Sequence, residues 1–308
     1  IDLYLALEEA LDGIAEGVSR ANELPCVLPR LAQLVSASPV DGALHDAFGI
    51  VNGIDSYSGY GPDFVSHDLS HYLGPEFEGR YISDYVRPNY PDQIPVFHLV
   101  GGLDTIRKEA VPGDAPQDGL PNSLEGWIER DGLTCLKVKL TGTDLDWDLG
   151  RINEVHAVAR EVHDRMGLEE LSFSVDTNEQ CESPDYVVEL LNRLRDENRD
   201  AYERVLYVEQ PTERDLQASR HDMSPIAELK PVIIDESLTS LEDFDTAVDL
   251  NWSGVALKSC KGHSWALLFA ARAEERGIPY TVQDLTNPGI SLVHSAGLAG
   301  RLHPMKGV

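Results

Sequence analysis

Seven short runs of β-branched and apolar residues, separated by helix-like stretches, constrain most strongly what this chain can fold into. The runs are Ile94–Val100, Leu133–Leu140, Leu171–Val175, Val205–Val208, Val232–Ile234, Gly254–Leu257 and Ile278–Val282. Amphipathic stretches lie between several of them: Arg151–Met166, Tyr186–Arg195, Leu241–Leu250 and Trp265–Arg276. Strands that alternate with helices form a parallel sheet, which is either doubly wound or closed into a barrel. Eight such units make a TIM barrel, so seven units predict an α/β fold that approaches a (β/α)7–8 barrel.

Residues 1–93 follow a different pattern, that of helices followed by irregular chain. Apolar periodicity predicts helices over 3–18, near 28–35, and from a cap at Ser38-Pro39 onward to about Val51. Residues 52–93 are rich in Gly, Pro, Tyr and Asp and have poor periodicity, which is typical of an irregular insertion. We therefore expect two domains, a mostly helical one over 1–93 and a barrel over 94–308.

Ionisable residues stand at the C-terminal ends of five consecutive runs. Lys137 and Lys139 alternate with apolar residues, so both lysines share the strand face opposite to the apolar side chains. Each of the next four runs is followed directly by one ionisable residue: Asp176, Glu209, Asp235 and Lys258. Because a barrel collects its chemistry at the C-terminal ends of its strands, we expect these side chains to lie close together.

Three carboxylates from adjacent strands suit a hard divalent cation, Mg²⁺, with Mn²⁺ as a substitute. When the carboxylate of a substrate binds such a metal, the proton alpha to it becomes removable, because the metal stabilises the enediolate. Neighbouring cations depress the pKa of a lysine, and a neutral amine can then act as a base near pH 7. The pattern therefore predicts proton transfer next to a substrate carboxylate.

The motifs around these residues resemble those of the enolase superfamily. They are Lys137-x-Lys139, Val-Asp-Thr-Asn at Asp176, Val-Glu-Gln-Pro at Glu209, Ile-Asp-Glu-Ser at Asp235 and Ala-Leu-Lys at Lys258. Within the mandelate racemase/muconate lactonizing enzyme family, the chain is most similar to the muconate-lactonizing-enzyme subgroup, which has lysines on the second and sixth strands. The mandelate-racemase subgroup has a histidine on the seventh strand, where this chain reads Tyr-Thr-Val-Gln-Asp over 280–284. The segment 43–46, Ala-Leu-His-Asp, resembles the helix that ends the family's capping domain.

The resemblance implies a TIM-type (β/α)7–8 barrel with an N-terminal α+β capping domain, of which residues 1–93 are a remnant. It implies that Mg²⁺ is bound by Asp176, Glu209 and Asp235. It also implies that Lys139 and Lys258 are the acid/base groups on opposite faces of the substrate.

Five further residues receive roles from the same resemblance. Lys137 would help polarise the substrate carboxylate. Asn178 and Glu236 would lie behind the metal ligands and lysines, or contact substrate. Gln283 and Asp284, on the seventh strand, are the candidates for contact with substrate from that side.

Several reactions can follow from the same proton abstraction. Two opposed lysines favour a racemase or epimerase that acts on an acyl-amino acid, a dipeptide or a related acid. A dehydratase or cycloisomerase, in which Lys258 acts only as a cation, is the alternative within this superfamily. A non-catalytic homologue, and an aldolase-type barrel with a Schiff-base lysine, also stay open.

Composition excludes several classes of partner, and the site residues and the family resemblance imply a small-molecule carboxylate as the substrate. The chain has 53 acidic and 25 basic residues and a net charge of −28, which argues against nucleic acid and anionic membranes as partners. No apolar run approaches the roughly 18 residues of a transmembrane helix. The four cysteines form no Cys-x-x-Cys pair, which fits a reducing, cytoplasmic location. The oligomeric state stays open, a homo-oligomer included.

Two other features receive no chemical role. His67 and His71 have the spacing of a metal-binding pair on a helix, but they lie in a Gly/Pro-rich region with no third ligand in view. We therefore do not predict zinc there. Lys261 is expected on the surface of the turn that follows the sixth run.

Overall fold

The computed structural model describes residues 1–284, 289–303 and 305, so that 285–288, 304 and 306–308 of the predicted barrel domain lie outside the described residues. The chain divides into two compact units. Among the described residues, the first unit comprises Ile1–Ile94, Leu238–Asp245 and Gly254–Met305, and the second comprises Pro95–Ser237 and Thr246–Ser253. No helix among the described residues is long and apolar enough to cross a bilayer.

The secondary structure alternates between helices and strands from the first strand onward. The α-helices are α1 (Asp2–Glu8), α2 (Leu11–Ala21), α3 (Arg30–Asn52), α4 (Ser70–Leu73), α5 (Leu124–Asp131), α6 (Leu145–Met166), α7 (Pro184–Glu197), α8 (Arg199–Arg204), α9 (Ser224–Ala227), α10 (Leu241–Asp249), α11 (His263–Glu275) and α12 (Ile290–Arg301). The strands are β1 (Phe97–Val100), β2 (Cys135–Lys139), β3 (Ser172–Asp176), β4 (Val205–Glu209), β5 (Val232–Ile234), β6 (Gly254–Lys258) and β7 (Tyr280–Gln283). All seven predicted strands are therefore present.

In the second unit, the strands β1 to β5 pair in parallel and in chain order. In the first unit, β6 and β7 are likewise parallel neighbours. Each parallel pair is joined by a crossover that contains helix, as parallel strands require. The predicted α/β class is confirmed.

Helix α3 corrects one expectation of the sequence. A helix boundary was expected at Ser38-Pro39, but α3 runs without a break from Arg30 to Asn52 through Pro39. Proline normally interrupts a helix because it lacks the N–H that would bond to the carbonyl four residues earlier. Here that carbonyl belongs to Val35, and the Ser38 hydroxyl donates to it at 2.9 Å. The serine thus satisfies the acceptor that the proline leaves open.

The helices of the second unit begin and end with the side chains that cap helices. Asp144 accepts a hydrogen bond from the Trp147 N–H at the start of α6, and Ser183 accepts one from Asp185 N–H at the start of α7. Gly167 ends α6 in the left-handed conformation, which glycine adopts without a steric penalty. These caps fix where each helix ends and therefore where the next strand begins. Residues 52–93 contain only short helical turns, as the poor periodicity of that segment indicates.

Candidate active site

The two lysines of β2 lie on one face of the strand, as its alternation predicts. Leu136 and Val138 are fully buried, whereas the Lys137 and Lys139 side chains are 13% and 24% exposed. The apolar side chains of β2 therefore pack into the core, and the ammonium groups end on the opposite side at the C-terminal half of the strand.

Three carboxylates stand at the same edge of the sheet, on the next three strands. Asp176 ends β3, Glu209 ends β4, and Asp235 follows β5 directly. The strand register pairs Asp176 with Lys139 on one side and with Glu209 on the other. All three carboxylates are at most 1% exposed. Acids buried this completely need cationic partners, because an unpaired buried charge is very costly.

The lysines supply those cations. Lys137 Nζ donates to Glu209 Oε1 and lies 3.0 Å from Asp176 Oδ2, so this ammonium bridges two carboxylates. Lys139 Nζ donates to Asp176 Oδ2 at 2.5 Å and to Asn178 Oδ1 at 2.7 Å. Three residues of the predicted site, Asp176, Glu209 and Asn178, are therefore in direct contact with a lysine of β2.

The pKa values of the buried pair follow from these contacts. Burial alone would lower the pKa of Lys137, but the carboxylates of Glu209 and Asp176 outweigh it, and the pKa is raised above its ordinary value. Burial alone would raise the pKa of Asp176, but the ammonium groups of Lys137 and Lys139 lower it below the ordinary range. Lys137 and Asp176 thus hold each other in their charged forms.

Asn178 connects Lys139 to Glu236, the residue that follows the third strand-end acid. Its backbone N–H donates to Asp176 Oδ1 at 2.8 Å, and its side-chain amide donates to Glu236 Oε1 at 3.4 Å. Asn178 and the following Glu179 both have positive φ, of 46° and 67°. Such a backbone turn is strained for residues other than glycine and is often found at functional sites. The turn directs the Asn178 side chain toward Lys139.

Gln210 is a residue of this region whose role the sequence did not indicate. It is fully buried, has a φ of 32°, and follows Glu209 directly. Its Oε1 accepts from the Asp235 N–H at 2.8 Å and from the Ser237 N–H at 3.3 Å. Its Nε2 donates to the Thr212 carbonyl at 3.0 Å and to Ser237 Oγ at 2.7 Å. The side chain of Gln210 thereby fixes the backbone that carries Asp235. The sequence shows Gln210 only as part of a Glu-Gln-Pro motif, and that motif does not indicate which groups the glutamine side chain contacts.

The remaining predicted residues belong to the first unit. Lys258 ends β6 and is paired in register with Gln283 of β7. Gln283 Nε2 donates to Thr281 Oγ1 at 3.0 Å. Asp284 accepts a hydrogen bond from Ser259 Oγ at 2.6 Å and another from the Ser295 hydroxyl. Two serines therefore hold the Asp284 carboxylate in a fixed orientation.

Lys261 is not on the surface, and that expectation was wrong. It is only 5% exposed and donates to the Leu238 carbonyl at 3.4 Å. It lies in a 3-10 turn, Ser259–Lys261, between β6 and α11, and this turn is buried as a whole. A three-residue turn is too short to show the periodicity of apolar residues from which burial is predicted.

The strand-end acids fit a divalent cation by their chemistry. Asp176, Glu209 and Asp235 offer carboxylate oxygens, which are the ligands that Mg²⁺ prefers. Lys137 and Lys139 pair with Asp176 and Glu209, and a divalent cation would add further positive charge beside the three carboxylates. Lys137 Nζ contacts one oxygen of each of two acids, Asp176 Oδ2 and Glu209 Oε1, so these carboxylates would be shared between the ammonium and a metal. Mn²⁺ has the same oxygen preference and would fit equally well.

Comparison with known proteins identifies one matching family and several similar solved structures. A family profile described as enolase C-terminal domain-like matches residues 120–304. The substrate-liganded L-Ala-D/L-Glu epimerase from Bacillus subtilis is similar over 89% of this chain and 62% of its own, with a TM-score of 0.60 and 18% identity. The muconate lactonizing enzyme from Mycobacterium smegmatis, complexed with muconolactone, is similar over 90% and 63%, with a TM-score of 0.56 and 18% identity. No curated protein matches the chain.

A mandelate racemase/muconate lactonizing enzyme from Roseiflexus sp. is similar over 59% of this chain and 49% of its own, with a TM-score of 0.50 and 22% identity. The chain thus spans between 49% and 63% of the length of these solved structures. The likenesses confirm the expected barrel type of fold. The family profile covers more than half of the chain and includes both lysines of β2 and all three strand-end acids. This chain therefore belongs to the enolase C-terminal domain-like family, as its resemblance to the enolase superfamily predicted.

Proposed function

We propose that this protein is a Mg²⁺-dependent enzyme that removes the proton alpha to a substrate carboxylate, and that it acts as a racemase or epimerase. The observation that carries the proposal is the set of three buried carboxylates beside two lysines at one edge of the sheet in the second unit. The proposed substrate class is an acyl-amino acid, a dipeptide or a related acid.

Asp176, Glu209 and Asp235 are proposed to hold the metal, with Gln210 fixing the backbone position of the third ligand. When bound, Mg²⁺ supplies a Lewis acid that withdraws electron density from the substrate carboxylate. Lys137 contacts two of the acids and is proposed to stay a cation that attracts the substrate carboxylate. Its role is therefore to bind and orient rather than to move a proton.

Lys139 Nζ is proposed to accept the alpha proton. A neutral lysine amine keeps two N–H bonds and one lone pair. In the structure, hydrogen bonds from Nζ to Asp176 Oδ2 and Asn178 Oδ1 account for two N–H bonds. Lys139 is an ammonium beside Asp176 in the structure, so it is proposed to lose one proton before the reaction, and the two acceptors would then orient the lone pair of Nζ toward a substrate. Asn178 thus acts as a positioning residue for Lys139.

Lys258 is proposed as the second acid/base group, which returns a proton to the substrate. The support for this role is the Ala-Leu-Lys motif at the C-terminal end of β6 and its resemblance to that of the muconate-lactonizing-enzyme subgroup. A reaction with two such groups inverts the configuration of the alpha carbon. A reaction with one group leads instead to elimination or ring closure.

The test is exchange of the substrate alpha proton with deuterated solvent. A library of N-acyl amino acids and dipeptides is incubated with the protein and Mg²⁺ in D2O, and label and configuration are followed by NMR and chiral chromatography. We expect label at the alpha carbon together with inversion, and loss of both with EDTA. A general acid–base group contributes about 10²- to 10⁴-fold, so Lys139→Ala and Lys258→Ala should each lower the rate of inversion by that factor.

Lys108→Ala is the matched control, because Lys108 is half-exposed and its ammonium pairs with a surface acid, Glu129. It should leave the exchange rate unchanged. If the Lys139→Ala and Lys258→Ala variants both exchange the alpha proton at the wild-type rate, the two-base proposal is wrong. Label without inversion, accompanied by loss of a leaving group, would identify an eliminating enzyme instead.

A further inference from the structure

A second cluster of side chains that can act as metal ligands lies in the first unit, and it includes no residue of the proposed mechanism. The ligand atoms of Asp2, His67 and His71 all lie within 4.8 Å of one another. The spacing of the two histidines was visible in the sequence, but Asp2 stands far from them along the chain. The structure supplies the third ligand that the sequence did not show.

The histidines are held in place by the backbone between them. The His67 and His71 rings stack with centroids 4.1 Å apart and planes inclined by 14°. Asp68 accepts hydrogen bonds from the Ser70 N–H at 3.0 Å and from the Gly79 N–H at 2.7 Å. Through Asp68, these bonds connect the start of α4 to the backbone at Gly79. The two imidazoles therefore project from an ordered segment, which lowers the cost of bringing them to one ion.

The third ligand is oriented by a neighbour. Asp2 opens helix α1, and its Oδ1 accepts a hydrogen bond from the Tyr72 hydroxyl at 2.5 Å. Metal-binding carboxylates are usually oriented by an outer hydrogen bond of this kind. The bond fixes the orientation of the Asp2 carboxylate beside the histidines.

We propose that Asp2, His67 and His71 form a zinc site that joins helix α1 to the segment 66–73. Imidazole nitrogens favour zinc over Mg²⁺, which takes oxygen ligands. Zinc binds such ligands at about 2.0–2.2 Å, so ligand atoms around one tetrahedral ion lie about 3.4 Å apart. All three residues are exposed, and small rotations of their side chains close the remaining distance. Water completes the fourth position.

The test is a calorimetric titration of the full chain with ZnCl2 in the presence of saturating Mg²⁺. We expect one zinc ion per chain, and a loss of affinity of at least about tenfold in each of His67→Ala and His71→Ala. Tyr72→Phe should weaken binding by about tenfold through the lost outer hydrogen bond. His303→Ala is the matched control, because His303 is also an exposed histidine of the first unit and is not in the cluster. It should bind zinc as the wild type does.

The Asp176→Asn variant separates this site from the proposed active site. It should lose Mg²⁺-dependent activity and keep the zinc ion, since the proposed zinc site shares no residue with the proposed Mg²⁺ site. Zinc should raise the unfolding temperature of the wild type and of Asp176→Asn, but not that of the His67→Ala, His71→Ala double variant. Unchanged zinc affinity in the double variant, or its loss in Asp176→Asn, would overturn the proposal.

Discussion

Replacing Gln210 tests whether hydrogen bonds to one buried side chain hold the loop that carries Asp235. Gln210→Ala removes an acceptor for two buried backbone N–H groups, those of Asp235 and Ser237, and a donor to the Thr212 carbonyl. A buried donor without a partner costs about 1–3 kcal/mol. Two such donors give an expected loss of about 3 kcal/mol in the free energy of unfolding, which urea denaturation can measure.

Two further variants separate the hydrogen bonds from the volume of the side chain. Gln210→Met keeps nearly the same length but cannot accept or donate as the amide does, so it should lose about as much stability as Gln210→Ala. Gln217→Ala makes the same change at an exposed position and should cost less than about 0.5 kcal/mol. If Gln210→Met unfolds at the wild-type urea concentration, the hydrogen bonds do not hold the loop and the reasoning is refuted. Gln210→Ala and Gln210→Met should also weaken Mg²⁺ binding by about 10- to 100-fold, because they release the backbone of the proposed ligand Asp235. Gln217→Ala should leave Mg²⁺ binding unchanged.

Two other predictions concern the same unit. Gly142→Ala should cost at least about 2 kcal/mol, because φ is 68° there and an added Cβ would lie 2.9 Å from Gln180 Cβ. Gly150→Ala, in α6 with open space around it, should instead gain up to about 1 kcal/mol, and equal thermal shifts of the two variants would contradict the steric argument. Lys137→Met should cost about 3–5 kcal/mol without metal, since it leaves two buried acids with one fewer cation. Mg²⁺ should restore part of that stability, and a variant as stable as the wild type in EDTA would show that the bridging ammonium is dispensable.

The parts of the fold that the sequence predicts are those with a local signal. The alternation of Lys137 and Lys139 with buried apolar residues placed both lysines on one face of β2. The acids at the ends of three runs then follow from the rule that parallel strands bring their C-terminal ends to one edge. Local pattern was enough for these residues, because their neighbours lie on the next strand of the chain.

The parts that the sequence did not predict depend on contacts between distant segments or on single side chains. Pro39 continues a helix because Ser38 replaces one hydrogen bond, and no periodicity signals that exchange. Asp2 lies close to His71 although the two residues are far apart in the sequence, and the spacing of residues along the chain does not predict such a contact. Gln210 reaches Asp235 across to the next strand, but glutamine has no chemical signature that distinguishes this position from an exposed one.

The chain-order pairing of β1 to β5 has a consequence for how the site forms during synthesis. Each proposed ligand follows the previous one after a single strand–helix unit, so every new strand adds beside the strand made just before it. Closing loops between neighbours in sequence costs little entropy and is fast compared with pairing of remote strands. Chains emerge from the ribosome at roughly 5–20 residues per second, which gives each unit seconds to dock. Lys139, Asp176, Glu209 and Asp235 can therefore come together in the order in which they are translated, before β6 and β7 have been made.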